Sequence, residues 1–302
     1  MTNNQISLSF EVKEQNILLR DAIKEHGISK KALTSIKYDG GQILVNGEEK
    51  TVRHLLEKGD TIQLVFPKEK MSEGLIPENR DFPILYEDEH ILMLSKDAGI
   101  STIPSREHPN GTLANFVAGY LTKKELTSTV HIVTRLDKDT SGLICIAKHR
   151  HAHHLLSEMQ KAGSIFRTYE AIVHGFVKED SFSIDAPIGR KNDSIIERII
   201  SEDGKQARTS VQVLKRFTLQ GHNVTHVKLR LHTGRTHQIR VHMMSVGHPL
   251  IGDDLYGGSL ELIDRQALHA KELRLQHPFF NEDMYIIAPF PKDMEEIVNL
   301  MR

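Results

Sequence analysis

The spacing of hydrophobic residues near the start of the chain predicts two short helices. Between Asn16 and Gly27 the apolar residues fall on one helical stripe, and the glycine stands where a helix commonly stops. Ser29 is a typical N-cap residue, so we expect a second helix to follow it. The exposed face of this helix begins with Lys30 and Lys31, which are candidate contacts for phosphate groups.

The next segment predicts a β-hairpin. An Asn-Gly pair at 46–47 follows the apolar run 43–45, and this dipeptide is the one most typical of a type I′ turn. A further strand is expected over 61–66. Residues 12–68 therefore form the first expected domain, a small α/β module with ten Lys and Arg against eight Asp and Glu.

After a linker at 69–80, which mixes charged residues with glycine and proline, the pattern changes to many strands and few helices. The strand-like runs are 83–86, 90–94, 143–147, 167–173, 209–217 and 224–231. The helical runs are 151–161, 238–245 and 293–301. Because these helices are too few for alternating βαβ units, residues 81–302 are expected to form an α+β domain on a mainly antiparallel or mixed sheet.

Composition excludes several classes of protein. The 302 residues are 39% hydrophobic and 26% charged, which is typical of globular domains and not of disordered or fibrous chains. With Cys145 as the single cysteine, the chain can form neither an internal disulfide nor a thiolate zinc site, and a reducing compartment is expected. There is no signal-peptide pattern and no apolar run of membrane-spanning length, so we expect a cytoplasmic protein with no membrane partner.

Charge is unevenly distributed along the chain, although the net charge is only -1. Residues 204–252 contain no Asp or Glu. The eight cations of this segment are Lys205, Arg208, Lys215, Arg216, Lys228, Arg230, Arg235 and Arg240. They either create a local positive field that attracts phosphates or pair with acidic residues elsewhere in the fold. The motif LHTGRTHQIRVH at 231–242 favours an anion site, because its guanidinium and imidazole groups converge on an expected helix start.

Two histidine-rich segments raise the question of a metal site. Six histidines lie within 222–248, and the run HRHAHH stands at 149–154. The five-residue spacing of His232, His237 and His242 matches no common short zinc motif, and no cysteine is nearby. We therefore expect no bound metal.

The acidic segment RLDKDTSGL at 135–143 has three interpretations. A calcium loop that starts at Asp137 would need a glutamate at its twelfth position, where Lys148 stands, so this interpretation fails. A phosphotransferase that uses Asp137 and Asp139 would favour a buried apolar strand before the first aspartate, but a Thr-Arg pair stands there. A turn is the simplest interpretation of these residues alone, and the phosphotransferase stays open.

The same segment, read as TRLDKDTSGL, strongly resembles the catalytic signature of the RluA-type pseudouridine synthases, His-Arg-Leu-Asp-x-x-Thr-Ser-Gly-Leu. Further motifs of that family follow in its order: FRTYEAIVHG at 166–175, PIGR at 187–190, TGRTHQIRVHM at 233–243, GHPLIGDDLYG at 247–257 and ALHAKELRLQHP at 267–278. The resemblance covers residues 81–302 and implies an enzyme that isomerises uridine to pseudouridine in RNA. The chain departs from the signature at Thr134, where the family usually has histidine.

The resemblance assigns the reaction to Asp137, which would act either as a nucleophile at carbon or as the base that removes a sugar proton. This carboxylate must stay charged in a mostly dry pocket, so a guanidinium is expected within about 4 to 6 Å of it. Arg240 matches the position of the family's paired arginine. Arg235 is the second choice for this pairing and could instead bind phosphate.

Other residues take their expected roles from the same resemblance. Tyr169 would stack on the uracil and help to remove the C5 proton, and Leu268 would form the apolar wall on the other side of the base. Arg135 would fill the space left in the RNA by the flipped nucleotide. His237, together with Arg235, would contact the substrate.

The module at 12–68 is similar to the S4-type RNA-binding domain that often precedes this catalytic domain. The resemblance thus implies a monomer that binds structured RNA, with large-subunit ribosomal RNA as the expected substrate and transfer RNA as the alternative. No cofactor is expected, since the reaction involves no redox change or group transfer. A non-catalytic RNA-binding factor is the main rival function, and a metal-dependent phosphotransferase is the other.

Overall fold

A computed structural model of the chain describes residues 5–106, 108–126 and 128–300. Its helices are α1 (Leu19–Glu25), α2 (Lys30–Tyr38), α3 (Leu113–Lys123), α4 (Arg150–Lys161), α5 (Gln238–Ser245) and α6 (Lys292–Leu300), with one 3-10 turn at Asp254–Tyr256. Its strands are β1 (Ser7–Glu11), β2 (Ile17–Leu18), β3 (Gln42–Val45), β4 (Glu48–Glu49), β5 (Leu55–Leu56), β6 (Thr61–Val65), β7 (Ile84–Glu87), β8 (Ile91–Lys96), β9 (His131–Ile132), β10 (Ser141–Ala147), β11 (Phe166–His174), β12 (Ser181–Asp185), β13 (Ile188–Arg190), β14 (Arg198–Ile200), β15 (Arg208–Leu219), β16 (His222–Leu231), β17 (Leu268–Gln276) and β18 (Asp283–Ile287). Met301, the expected end of the last helix, lies outside the described residues. Within the described ranges no helix is long and apolar enough to cross a lipid bilayer.

The first module has its own sheet, in the order β1-β6-β3-β4, and its own apolar core. The Ser29 hydroxyl caps α2 by accepting a hydrogen bond from the Ala32 amide, as predicted. Asn46 and Gly47 both have positive φ, 53° and 84°, which confirms the predicted hairpin turn. The first helix is shorter than predicted, because residues 17–18 form a ladder with β5 before the helix begins.

The second part of the chain is built on a ten-stranded mixed sheet. Eight strands follow the order β12-β15-β16-β11-β17-β10-β8-β7, while β18 pairs with β17 and β9 with β10. Only β10 and β17 run parallel among the described strand pairs of this sheet, so the predicted α+β class with a mainly antiparallel, mixed sheet is confirmed. One extended apolar cluster covers the sheet, and it is separate from the cluster of the first module.

The sequence pattern missed α3, because this helix lacks a polar face. Residues 113–119 are all buried, so the helix shows none of the amphipathic alternation on which the prediction depends. A Cβ at Gly119 would lie 2.2 Å from the carbonyl oxygen of Glu78, so the glycine lets the 69–80 segment cross the helix closely. The sequence signal that marks the start of α3 is the capping box of Thr112 and Asn115, which is present in the structure.

The segment at 69–80 is irregular, as predicted, but it is anchored to the larger part of the chain. Both carboxylate oxygens of Glu69 accept hydrogen bonds, one from His131 Nε2 at 2.6 Å and one from the Arg150 amide at 2.7 Å. The second bond satisfies a free amide at the start of α4. Phe66, just before the segment, stacks on His151 of the same helix with 5.4 Å between ring centroids. The first module therefore docks on the N-terminal turn of α4.

We expect Glu69→Gln to weaken this docking. Burial by itself would raise the pKa of Glu69, but the hydrogen bonds and charges of His131 and Arg150 outweigh it and hold the pKa below its usual range. A folded-state pKa that is lowered adds stability above the ordinary glutamate pKa, and this stability is lost as the pH falls through the folded value. At pH 7 the variant should lose about 1.5 to 3 kcal/mol of unfolding free energy, measured by denaturant titration.

Glu73→Gln is the matched control, since Glu73 is an exposed carboxylate in the same segment. It should unfold like the parent protein. The difference between Glu69→Gln and the parent should also shrink as the pH falls below the ordinary glutamate pKa, because the carboxyl group then becomes neutral. A Glu69→Gln variant with unchanged stability at pH 7 would contradict an anchoring role.

Candidate active site

Asp137 lies in a tight turn between β9 and β10, at the base of a cleft of about 760 Å³. Its carbonyl accepts a hydrogen bond from the Thr140 amide at 3.1 Å, so the turn interpretation of 135–143 is confirmed as local structure. The carboxylate is 28% exposed and faces the cleft. The cleft has the size of typical small-molecule pockets, which is enough for a nucleoside.

Two cations, the buried Lys96 and the partly buried Arg265, hold the backbone of this turn. The ammonium of Lys96 donates to three carbonyls at 2.8 Å, those of Asp97, Ile100 and Lys138. Arg265 Nη1 donates to the carbonyl of Asp139 at 3.0 Å, and its other nitrogens bind the Asp293 carboxylate of α6. The position of the Asp137 carboxylate thus depends on side chains far away in sequence.

Burial lowers the pKa of Lys96 to about 8, against the opposing effect of Asp139 and Asp137 nearby. At pH 7 Lys96 is therefore still protonated, and it adds a second positive charge, beside that of Arg265, behind the turn.

Arg240 reaches Asp137 from the first turns of α5. Its Nη1 lies 3.5 Å from Oδ2 of Asp137, within the range expected for the pairing. Its other two nitrogens form a two-pronged bond to Asp253, with Nε and Nη2 each 2.7 Å from a carboxylate oxygen. Asp253 is fully buried, and sequence reasoning missed it.

His237 lies beside the same carboxylate. The hydroxyl of Tyr256 accepts a hydrogen bond from the Arg198 amide at 2.9 Å and is hydrogen-bonded to Nδ1 of His237 at 2.8 Å. This bond orients the ring so that its Nε2 lies 3.9 Å from Asp137 Oδ2. Burial lowers the pKa of His237, although Asp137 opposes the shift, so the ring is neutral at pH 7.

Tyr169 of β11 and Leu268 of β17 lie on adjacent strands of the sheet, and both line the cleft. Both side chains are almost fully buried. Burial raises the pKa of the Tyr169 hydroxyl, and Asp137 adds to this effect while Arg167 opposes it. Tyr169 is therefore a neutral phenol at pH 7, with its ring in the wall of the cleft.

The other expected site residues lie at different places. Arg135 is exposed and lines the cleft next to Asp137. Arg235 lies on the rim, where its Nε donates to the Gln206 carbonyl at 2.9 Å, so it does not make the pairing for which it was the second choice. Lys30 and Lys31 are exposed on α2 and do not line the cleft.

Thr134 has a structural partner. The side chain is buried, and its Oγ1 accepts a hydrogen bond from the Cys145 amide at 2.9 Å. The departure from the family signature is thus accommodated inside the fold, next to β10.

The histidines of the basic segment have separate hydrogen-bond partners. His232 bonds to the Ser210 hydroxyl, and His242 bonds to Thr209 and to the Ala186 carbonyl. Across the described residues no group of three or more His, Cys, Asp or Glu is arranged to hold a metal ion.

Sequence reasoning missed three residues of the site: Asp253, Tyr256 and Arg167. The first two belong to the GHPLIGDDLYG motif, and its match to the family is the sequence signal that marks them. Arg167 lines the cleft beside Tyr169, and a Cβ at Gly234 would lie 3.1 Å from its guanidinium. The glycine of the TGR motif therefore leaves room for an arginine from β11.

Comparison with known proteins gives a consistent result. A family described as RNA pseudouridylate synthase matches residues 90–245. The chain is 49% identical over 274 residues to the uncharacterized RNA pseudouridine synthase YjbO of Bacillus subtilis, covering 91% of this chain and 95% of that one. It is 38% identical over 277 residues to ribosomal large subunit pseudouridine synthase D of Pseudomonas aeruginosa, covering 87% and 84% of the two chains. Among solved structures, human RNA pseudouridylate synthase domain containing 1 is similar, with a TM-score of 0.58, 25% identity and coverage of 74% and 95%.

The geometry around Arg240 predicts different effects for two adjacent aspartates. Asp253→Asn removes the buried partner of a buried guanidinium and should cost about 3 to 5 kcal/mol of unfolding free energy. Asp254→Asn changes an exposed carboxylate and should change stability by less than about 0.5 kcal/mol. Denaturant titrations of both variants test the difference, and equal stabilities would contradict the structural role of Asp253.

Proposed function

Because this chain belongs to the RluA-type RNA pseudouridine synthases, we propose that it isomerises specific uridines of large-subunit ribosomal RNA. The observation that carries the proposal is the Asp137 carboxylate in a nucleoside-sized cleft, 3.5 Å from a buried arginine. The reaction class follows from the family, and the enzyme is an isomerase.

Asp137 acts on the ribose. The reaction breaks the bond between C1′ and N1 of the base and forms a bond between C1′ and C5, while a proton leaves C5 and N1 gains one. The carboxylate either attacks the sugar carbon or removes a sugar proton. Arg240 favours the ionised form that both routes require, because a nearby positive charge stabilises a carboxylate.

The walls of the cleft hold the detached base. Tyr169 stacks on one face of the uracil and helps to remove the C5 proton, and Leu268 covers the other face. Arg135 fills the gap that the flipped nucleotide leaves in the RNA. Arg235 and His237 contact the substrate at the rim and beside Asp137, which their places in the cleft support.

The substrate assignment rests on two lines of support. A relative at 38% identity bears the name ribosomal large subunit pseudouridine synthase D. The module at 12–68, which we infer to be an S4-type domain, presents Lys30 and Lys31 to solvent, where they contact RNA phosphates. Transfer RNA is the second candidate substrate, and the enzyme acts as a cytoplasmic monomer.

No cofactor enters this mechanism, because the product is an isomer of the substrate and the reaction needs no electron donor or transferred group. The rate should thus be unchanged by a chelator such as EDTA. This separates the synthase from a metal-dependent phosphotransferase that uses Asp137 and Asp139.

Asp137→Asn should abolish turnover while RNA binding changes little, because the amide has the shape of the carboxylate without its charge. Tritium release from C5-labelled uridine in transcribed ribosomal RNA measures turnover. Asp139→Asn is the control in the same turn and should keep activity within about tenfold. Clear turnover by purified Asp137→Asn, free of contaminating synthase, would refute the catalytic assignment.

Mapping of pseudouridines in cells with and without the gene tests the substrate. We expect one or more sites in large-subunit ribosomal RNA to disappear and to return with the parent gene but not with the Asp137→Asn gene. Loss of sites only in transfer RNA would refute the ribosomal assignment and leave the reaction class intact.

A further inference from the structure

The sheet has a solvent-exposed face beside the cleft that the reaction does not use. Side chains along β11 alternate between the two faces of the sheet. Tyr169 is buried on the face that lines the cleft, whereas Phe166 and Thr168 lie on the opposite face. Strand pairing places Arg274 of β17 opposite Phe166 and Tyr285 of β18 opposite Arg274. Phe166, Arg274 and Tyr285 are all exposed, with Phe166 at 41% and Tyr285 at 47%.

Two guanidinium groups stack on the two exposed rings. Arg230 of β16 lies over Phe166 with 4.7 Å to the ring centroid, and Arg274 lies over Tyr285 with 4.2 Å. Since Phe166 and Arg274 are direct neighbours, the four side chains form one continuous surface, which we call the stacked patch. A row of arginine and aromatic planes on one sheet face is suited to unstacked nucleic-acid bases.

The patch carries positive charge that the fold does not neutralise. Within the described part of the chain, Arg230, Arg274 and the adjacent exposed Arg208 have no carboxylate within ion-pair distance. Lys228, the next cation of β16 on the same face, is in contrast paired with Glu272 at 3.0 Å. The contrast favours a polyanion as the missing partner.

The stacked patch is continuous with the cleft. Leu231 and His232, which directly follow Arg230, line the cleft, and so does Arg167, which directly follows Phe166. A strand of RNA that places one nucleotide in the cleft can therefore pass over the edge formed by the ends of β11 and β16. Beyond the patch, a groove of about 850 Å³ continues over β12, β15 and β16.

We propose that the stacked patch binds a single-stranded flank of the RNA substrate. Bases of the flank stack beside Phe166 and Tyr285, and its phosphates lie against Arg208, Arg230 and Arg274. This inference rests on an RNA substrate, which the family supplies, and is independent of which RNA is modified.

The test uses the full-length enzyme and fluorescein-labelled oligouridine of 20 nucleotides as the probe. The double variant Phe166→Leu with Tyr285→Leu keeps apolar side chains but removes the rings, and it should bind at least about fivefold more weakly. The double variant Arg230→Gln with Arg274→Gln should reduce the slope of log affinity against log salt by about 1.4, or 0.7 for each lost phosphate contact on a single strand.

Arg216→Gln is the charge-matched control, because Arg216 of β15 lies outside the stacked patch and is already paired with Asp180. It should leave the salt slope unchanged. Thermal unfolding of each variant should match the parent, and at saturating enzyme the single-turnover tritium release on transcribed ribosomal RNA should be unchanged. Unchanged oligouridine affinity and salt slope in both folded double variants would overturn the proposal and favour a protein-binding face.

The binding test and the test of the reaction fail separately. Inactivity of the parent enzyme on ribosomal RNA would refute the proposed substrate and leave the oligouridine result intact. Weak binding of the ring variants together with full catalysis at saturation is the result expected from a docking surface.

Discussion

The site depends on one buried arginine that serves two carboxylates. Arg240 is 6% exposed, holds the fully buried Asp253 by two hydrogen bonds and still offers Nη1 to Asp137. A buried cation and a buried anion are each costly alone, so Arg240 and Asp253 stabilise the fold only together. Asp253 fixes the orientation of the guanidinium. The positive charge of Arg240 is thus held beside Asp137, the carboxylate that faces the cleft.

Charged side chains also fix the backbone of the turn around Asp137. Lys96 and Arg265 bind backbone carbonyls of the turn, and Arg265 is itself held by Asp293 of the last helix. Cations that bind carbonyls stabilise a backbone shape without neutralising the acid on it. The position of Asp137 is therefore determined by Lys96 and Arg265 at the backbone of the turn and by Arg240 at the carboxylate.

The two parts of the chain are joined more rigidly than the composition of the connecting segment implies. Glu69 binds His131 and the start of α4, and Phe66 stacks on the same helix. The first module and the cleft therefore have a defined orientation relative to each other. The HRHAHH run, which raised the question of a metal, contributes to this contact through His151.

Elements with local signals, and residues that belong to motifs, could be predicted from the amino-acid sequence. These are the cap at Ser29, the turn at 46–47, the three helices predicted after residue 81 and the proximity of Asp137 and Arg240, because each depends on neighbours a few residues away or on a matched signature. The tertiary fold was needed to show that Asp253 and not the adjacent Asp254 holds Arg240, that residues 113–119 of α3 are all buried, and that Phe166 and Arg274 meet on one face. Such contacts join residues that are 13 to more than 100 positions apart. At that separation the partner of a side chain depends on the tertiary fold of the whole chain, and no local sequence pattern encodes it.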